Sequence, residues 1–232
     1  MINRYPARFI IVVILLLGAP FLCLNALASF GSFDEAYAAG KSGFESQDFT
    51  AAQEAFHAAL ELAPDAPQRA KAREGLADCL LEFQDYDGCR ALAEQTLEDV
   101  PGKPGWAQAR ALRQIAESYR REKRFDEMAG TIERASNWTP NLFGWLNLGL
   151  GAMWYRERMW EECDKVHRDL LASETMGHHG WALYWLARTA QEAGRKQEAL
   201  GYIEQFGQLG SDDDHLNRLT SALREDLQSP GR

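Results

Sequence analysis

One ten-residue pattern returns along the chain at nearly constant spacing. "QDFTAAQEAF" from Gln47, "QDYDGCRALA" from Gln84, "KRFDEMAGTI" from Lys123 and "RMWEECDKVH" from Arg158 each carry a polar pair or near-pair, an aromatic residue, and a small or compact residue three places later. A fifth copy, "GRKQEALGYI" from Gly194, keeps Ala199 and Ile203 but puts Lys196 where the aromatic stands elsewhere. The anchors Phe49, Tyr86, Phe125, Trp160 and Lys196 lie 37, 39, 35 and 36 residues apart. A period of that length holds two short helices and a turn. No such unit buries its apolar face alone, so a chain built this way must pack one hairpin on the next.

A matching first helix precedes each anchor. "EAYAAGKSGF", "REGLADCLLEF", "LRQIAESYRRE", "LGLGAMWYRE" and "YWLARTAQEAG" pair a larger residue with a small one: Ala39 with Gly40, Leu76 with Ala77, Ile115 with Ala116, Leu150 with Gly151, Leu186 with Ala187. Small residues suit positions where helices cross closely, and their larger neighbours fill the space beside them. Pro64, Pro101 and Pro140 are expected to close units. "GWLNLGLGAMWY" is rich in glycine and alternates Leu146, Leu148 and Leu150 like a strand, yet its register with the other first helices predicts a helix. Beyond the last hairpin, "SDDDHLNRLTSALREDLQ" carries one stripe of Leu216, Leu219, Leu223 and Leu227, with Ser211 or an adjacent aspartate as its cap.

The pattern resembles the tetratricopeptide repeat, best in Phe33 to Ala66 through Gly40, Phe49, Ala52, Phe56, Ala59 and Pro64. The resemblance implies an all-α fold: an α-solenoid of about five helical hairpins over 29–210, with a capping helix over 211–228. Later units depart from the family pattern at Cys89, Met128 and Cys163, which replace the alanine of the second helix.

Residues 1–28 have a composition of their own. Arg4 and Arg8 precede the apolar run "FIIVVILLLGAPFLCL", and "ALA" at Ala26–Ala28 has the small-x-small form of a signal-peptidase site. Two readings stand: a signal peptide cleaved before Ser29, or an uncleaved N-terminal membrane anchor, since about 20 apolar residues can span a bilayer. Either one makes the protein exported, periplasmic or tethered to the inner membrane facing the periplasm, with no other contact to the membrane. Together with the repeats, this implies a bacterial exported member of the family. The formal net charge of −9 argues against nucleic acid as partner, because affinity for phosphates comes from Lys and Arg. Cys79, Cys89 and Cys163 follow the leader, an odd number; a Cys79–Cys89 bridge and three small buried side chains are both open readings.

Little in the chain suggests catalysis or a cofactor. Cys163 and His167, four residues apart on one helix, could face a metal, but they also occupy two packing positions of the repeat. His178 and His179 fall at a junction between hairpins, where solvated loop histidines are expected. No nucleophile elbow, zinc-protease motif or phosphate-binding fingerprint is present.

In proteins of the family, first helices line a concave groove that holds a peptide or partner helix. Carried to this sequence, that geometry nominates Tyr37, Lys41 and Phe44, with Glu74, Asp78 and Leu81 in the second unit. It then nominates Arg110, Arg113, Arg120 and Arg121, followed by Trp145, Tyr155, Arg156, Trp181, Tyr184 and Arg188. Arg, Trp and Tyr are the residues enriched at binding hot spots. The expected function is a non-enzymatic scaffold or adaptor in a cell-envelope assembly, binding an acidic protein segment with apolar anchors. The alternatives are a metal protein or enzyme using Cys163 and His167, and a structural protein that self-associates into a homo-oligomer.

Overall fold

The structure, a computed structural model, describes residues 30–99, 104–135, 137–174 and 176–229. The expected leader at 1–28 and Pro101 lie outside the described residues. Eleven α-helices and no strand occur among them: α1 Phe33–Glu45, α2 Phe49–Leu62, α3 Ala66–Glu82, α4 Tyr86–Asp99, α5 Trp106–Arg121, α6 Phe125–Glu133, α7 Pro140–Arg156, α8 Trp160–Ala172, α9 His179–Glu192, α10 Lys196–Leu209 and α11 Asp214–Gln228. A short 3-10 turn, Met176–His178, precedes α9. The architecture is all-α and repetitive: five hairpins, each second helix beginning at its anchor residue, followed by one further helix.

The polar pairs ahead of the anchors explain why the chain turns there. Gln47, Gln84, Lys123, Arg158 and Gly194, each two residues before its anchor, all adopt positive φ, between 59° and 75°. In the first hairpin the amide of Gln47 donates to the Phe44 carbonyl and that of Asp48 to the Gly43 carbonyl, and the other four turns repeat both bonds. These are the two hydrogen bonds of a Schellman ending, which satisfy carbonyls that the helix terminus would leave bare. The second member of the pair then starts the next helix. Asp48 accepts from the Ala51 amide at 3.1 Å, and Asp85 from that of Gly88 at 3.0 Å.

The stretch read as one repeat domain, 29–210, divides into two compact units, with the boundary between Val100 and Pro101. In the first unit α1 packs on α2 and α3, and α3 on α2 and α4. Its core is dominated by alanine: Ala36, Ala58, Ala59 and Ala72 with Phe33, then Ala52, Phe56, Leu76 and Cys79. Phe56 is clamped between two glycines. A Cβ added at Gly40 would stand 2.6 Å from its ring, and one at Gly75 2.5 Å. Glycine at both positions lets α1 and α3 approach the ring this closely.

In the second unit α5 packs on α6 and α7, α8 on α7 and α9, and α10 on α9. The glycine-rich segment is helical, and Leu146, Leu150, Met153 and Trp154 are buried on its inner face. Pro140 departs from expectation: it opens α7 after Thr139 instead of closing α6. Proline at a first helical position loses no hydrogen bond, because that amide has no acceptor in the helix. Helix α11 covers α9 and α10, with Leu216, Leu223 and Leu227 buried among Leu183, Tyr184, Ala187 and Phe206 and with Leu219 half-buried beside them. Its cap is Asp213, which accepts from the amides of His215 and Leu216, while Ser211 accepts from the Asp213 amide.

Candidate functional site

The nominated side chains distribute over the two units and fare differently. Tyr37, Lys41 and Phe44 in the first unit sit at a spacing that puts them on one stripe of α1. Together with Glu45 of α1, Glu74, Gly75 and Asp78 of α3, and Phe56 beneath, they line a cleft of about 180 Å³. The Tyr37 ring stacks on Phe33 at 5.5 Å and tilts against Phe56 at 5.7 Å. Phe44 meets Phe49 edge-on at 5.3 Å. The aromatic walls are thereby fixed by packing with the core. Leu81 is buried in the core with Ala77 and Cys89 and does not reach the cleft.

In the second unit the arginines divide into two sets. Arg120 is bound by Glu117 of its own helix and by Glu157, the residue after α7, and Arg121 also bonds Glu117. Desolvation works against ionisation of Glu117, but the hydrogen bonds from Arg120 and Arg121 prevail and hold its carboxyl below the usual range. Glu157 is likewise desolvated, and Lys123 and Arg120 together hold its carboxyl down. Such a network ties the turn after α5 to the end of α7.

Arg110 and Arg113 point elsewhere. Both are exposed, and Arg113 makes no ion pair among the described residues. Its stem lies over Gly149 of α7, where an added Cβ would come within 3.7 Å of Cδ. One turn back along α7 is Trp145, whose ring is met edge-on at 5.4 Å by Trp106. Trp106, 47% exposed, opens α5. Trp106, Arg110 and Arg113 follow one another at helical spacing on α5. Sequence reasoning missed Trp106, although its place one turn before Arg110 was the available signal.

The remaining nominees form an aromatic layer. Tyr155 of α7 meets Trp160 at 5.4 Å and Trp185 at 5.2 Å, and Trp185 meets Tyr184 at 5.7 Å. Arg188 donates to the Tyr155 hydroxyl at 2.9 Å and lies over its ring. Tyr184 is buried in the last hairpin's core, and half-buried Trp181 packs between Tyr184 and His215. Arg156 is exposed at the end of α7.

The residues with chemical potential are internal. Cys79, Cys89 and Cys163 are buried and unbridged. Burial pushes the Cys163 thiol up to about 11 and the Cys79 thiol up to about 12, so neither is a ready nucleophile. Cys163 lies 3.2 Å from the Thr189 hydroxyl and 3.6 Å from His167 Nδ1. That nitrogen is 2.8 Å from the Cys163 carbonyl, which can only accept, so Nδ1 carries the proton and Nε2 is a buried lone pair with no partner. Desolvation lowers the imidazole to about 4. Its ring fills the place that Phe56 fills in the first unit, seven residues after the anchor, and it likewise faces a glycine: a Cβ at Gly151 would fall 2.2 Å from Cε1. The junction histidines are held rather than solvated. His178 Nε2 is 3.2 Å from Asn141 Oδ1, and His179 Nε2 is 3.1 Å from the Ser173 carbonyl.

Comparison with known proteins agrees with the helical-repeat fold. Residues 44–114 match the family model of the tetratricopeptide repeat. Among solved structures, the apo form of RapI superposes with a TM-score of 0.55 at 12% identity, covering 86% of this chain and 78% of its own. BtubC from P. vanneervenii gives 0.55 at 15% identity, with coverage of 86% and 84%. TTC0263, a tetratricopeptide-repeat protein of Thermus thermophilus, gives 0.52 at 16% identity, with coverage of 84% and 100%. No curated protein sequence matches the chain.

Proposed function

We propose, from a tetratricopeptide-type helical-repeat fold, that this protein is a non-enzymatic interaction scaffold whose α5/α7 face receives an acidic segment of a partner protein with apolar anchors. The observation that carries this reading is exposed Trp106, edge-on to half-buried Trp145 and beside Arg113, a cation with no ion pair among the described residues. An exposed ion pair contributes only about 0.2–1 kcal/mol, so charge alone does not hold a partner. Indole rings add the apolar area that makes Trp and Arg frequent hot spots. Arg120 and Arg121 are engaged by Glu117, and Arg120 also by Glu157, so ligand contact falls to Arg113 instead.

The test is site-specific photo-crosslinking in the native cell, with a photoreactive amino acid at Trp106 and, as control, at Lys165 on the exposed side of α8. A partner captured at Trp106 only, and lost at least about tenfold when Arg113→Glu is added, is the expected result. Equal capture at both positions would sink the reading. We place this scaffold in a cell-envelope assembly, reading residues 1–28 as an export leader. N-terminal sequencing of the protein from envelope fractions is expected to start at Ser29 if the leader is cleaved and at Met1 if it anchors; recovery from the cytosol alone would remove the envelope assignment.

A further inference from the structure

The two units differ sharply in charge. Among residues 30–99 stand fifteen Asp and Glu against five Lys and Arg, whereas residues 104–229 hold nineteen against sixteen. The protein's negative charge is therefore concentrated where the α1/α3 cleft lies. That cleft has aromatic walls in Tyr37 and Phe44, the Phe56 ring as its floor, and Glu45, Glu74 and Asp78 around it against Lys41 alone. Gly75 lines it as well: a Cβ there would stand 2.5 Å from the Phe56 ring, so the ring, only 3% exposed, packs directly against the α3 backbone at that point.

We infer that this cleft receives a lysine or arginine side chain from an extended segment of a partner protein. The chemistry fits at each level of the cleft. A long alkyl stem lies against aromatic faces, as Lys and Arg stems do on apolar surface elsewhere. The cationic head is attracted both to the ring faces and to the surrounding carboxylates. A carboxylate side chain entering the same space would meet like charge from three acids. The size of the cleft, that of one long side chain, selects a single residue rather than a helix, and the surrounding field speeds the encounter.

This inference is independent of the α5/α7 reading and uses different residues. Its test is fluorescence anisotropy on the chain from Ser29 onward with two labelled decapeptides, one alternating Lys and Leu, the other Glu and Leu. The lysine peptide is expected to bind with a Kd on the order of 10 μM and to weaken as salt is raised. Glu74→Gln with Asp78→Asn is expected to cost about tenfold, while Glu54→Gln with Glu98→Gln, exposed acids outside the cleft, changes it less than about twofold. Circular dichroism confirms that each variant keeps its helices. Arg113→Glu leaves lysine-peptide binding unchanged, which separates this site from the other face. Equal losses in the two acid-to-amide pairs would mean nonspecific attraction and would overturn the inference. So would binding of the glutamate peptide that survives Arg113→Glu, or full displacement of the lysine peptide by spermidine at equal charge concentration.

Discussion

The side chain at the seventh place after an anchor shows how one position can be filled in two ways. Phe56 lies between Gly40 and Gly75; His167 lies against Gly151 and stacks on Trp185 at 6.1 Å. Gly75→Ala is therefore expected to destabilise the first unit by about 1–3 kcal/mol through overpacking, measured by urea unfolding. Histidine adds acid sensitivity that phenylalanine lacks. Between about 4, its folded value, and its ordinary 6.5, the unfolded chain binds a proton that the folded chain refuses. The stability contributed is present above pH 6.5 and is lost as pH falls toward 4. This group alone should make the protein about 2 kcal/mol less stable at pH 5 than at pH 7. His57 and His178, both lowered by burial, act in the same direction. His167→Phe is expected to remove most of the difference in urea midpoint between the two pH values; an unaltered difference would refute the assignment. Sequence spacing had marked Cys163 and His167 as packing positions, and the packing is visible as soon as Gly151 is set beside them.

Among the elements, the turn inside each hairpin is the most uniform in geometry and the least in composition. Five left-handed residues occupy equivalent places, yet only Gly194 is glycine. A non-glycine residue in that conformation costs about 1–2 kcal/mol, partly offset because glycine loses more freedom on folding. Gln84→Gly is thus expected to stabilise by about 0.5–1 kcal/mol and Gly194→Gln to destabilise by a similar amount, both read from thermal melts followed by circular dichroism. The polar pairs could be seen in the sequence, but their roles could not, since nothing in a glutamine or an arginine announces positive φ. Helix α7 was legible for the opposite reason: its register with the other first helices outweighed three glycines and an apparent alternation. Pro140 was misplaced because a proline after a helix and a proline opening the next look alike without the intervening chain.

For the whole molecule, uneven charge is the property with the widest effect. Fifteen acids against five bases in residues 30–99 repel one another in the folded unit. Sodium chloride is expected to raise its melting temperature by several degrees, as is Glu54→Gln with Glu98→Gln in low salt, each followed by calorimetry; no change with salt would show that the acids are already compensated. The repeat count and the starts of the second helices could be read from the sequence because they follow from spacing. Which arginines are held in ion pairs could not, because Arg120 meets Glu157 across 37 positions and Arg113 differs from it only in what it fails to meet. Recurrence of one backbone bend has a further outcome. Joining Arg158 directly to Arg195 would excise thirty-six residues, one full period, and hand the chain from one left-handed corner to the equivalent corner downstream. The protein is in this sense editable by whole modules, and its length can be altered in discrete steps without inventing a new connection.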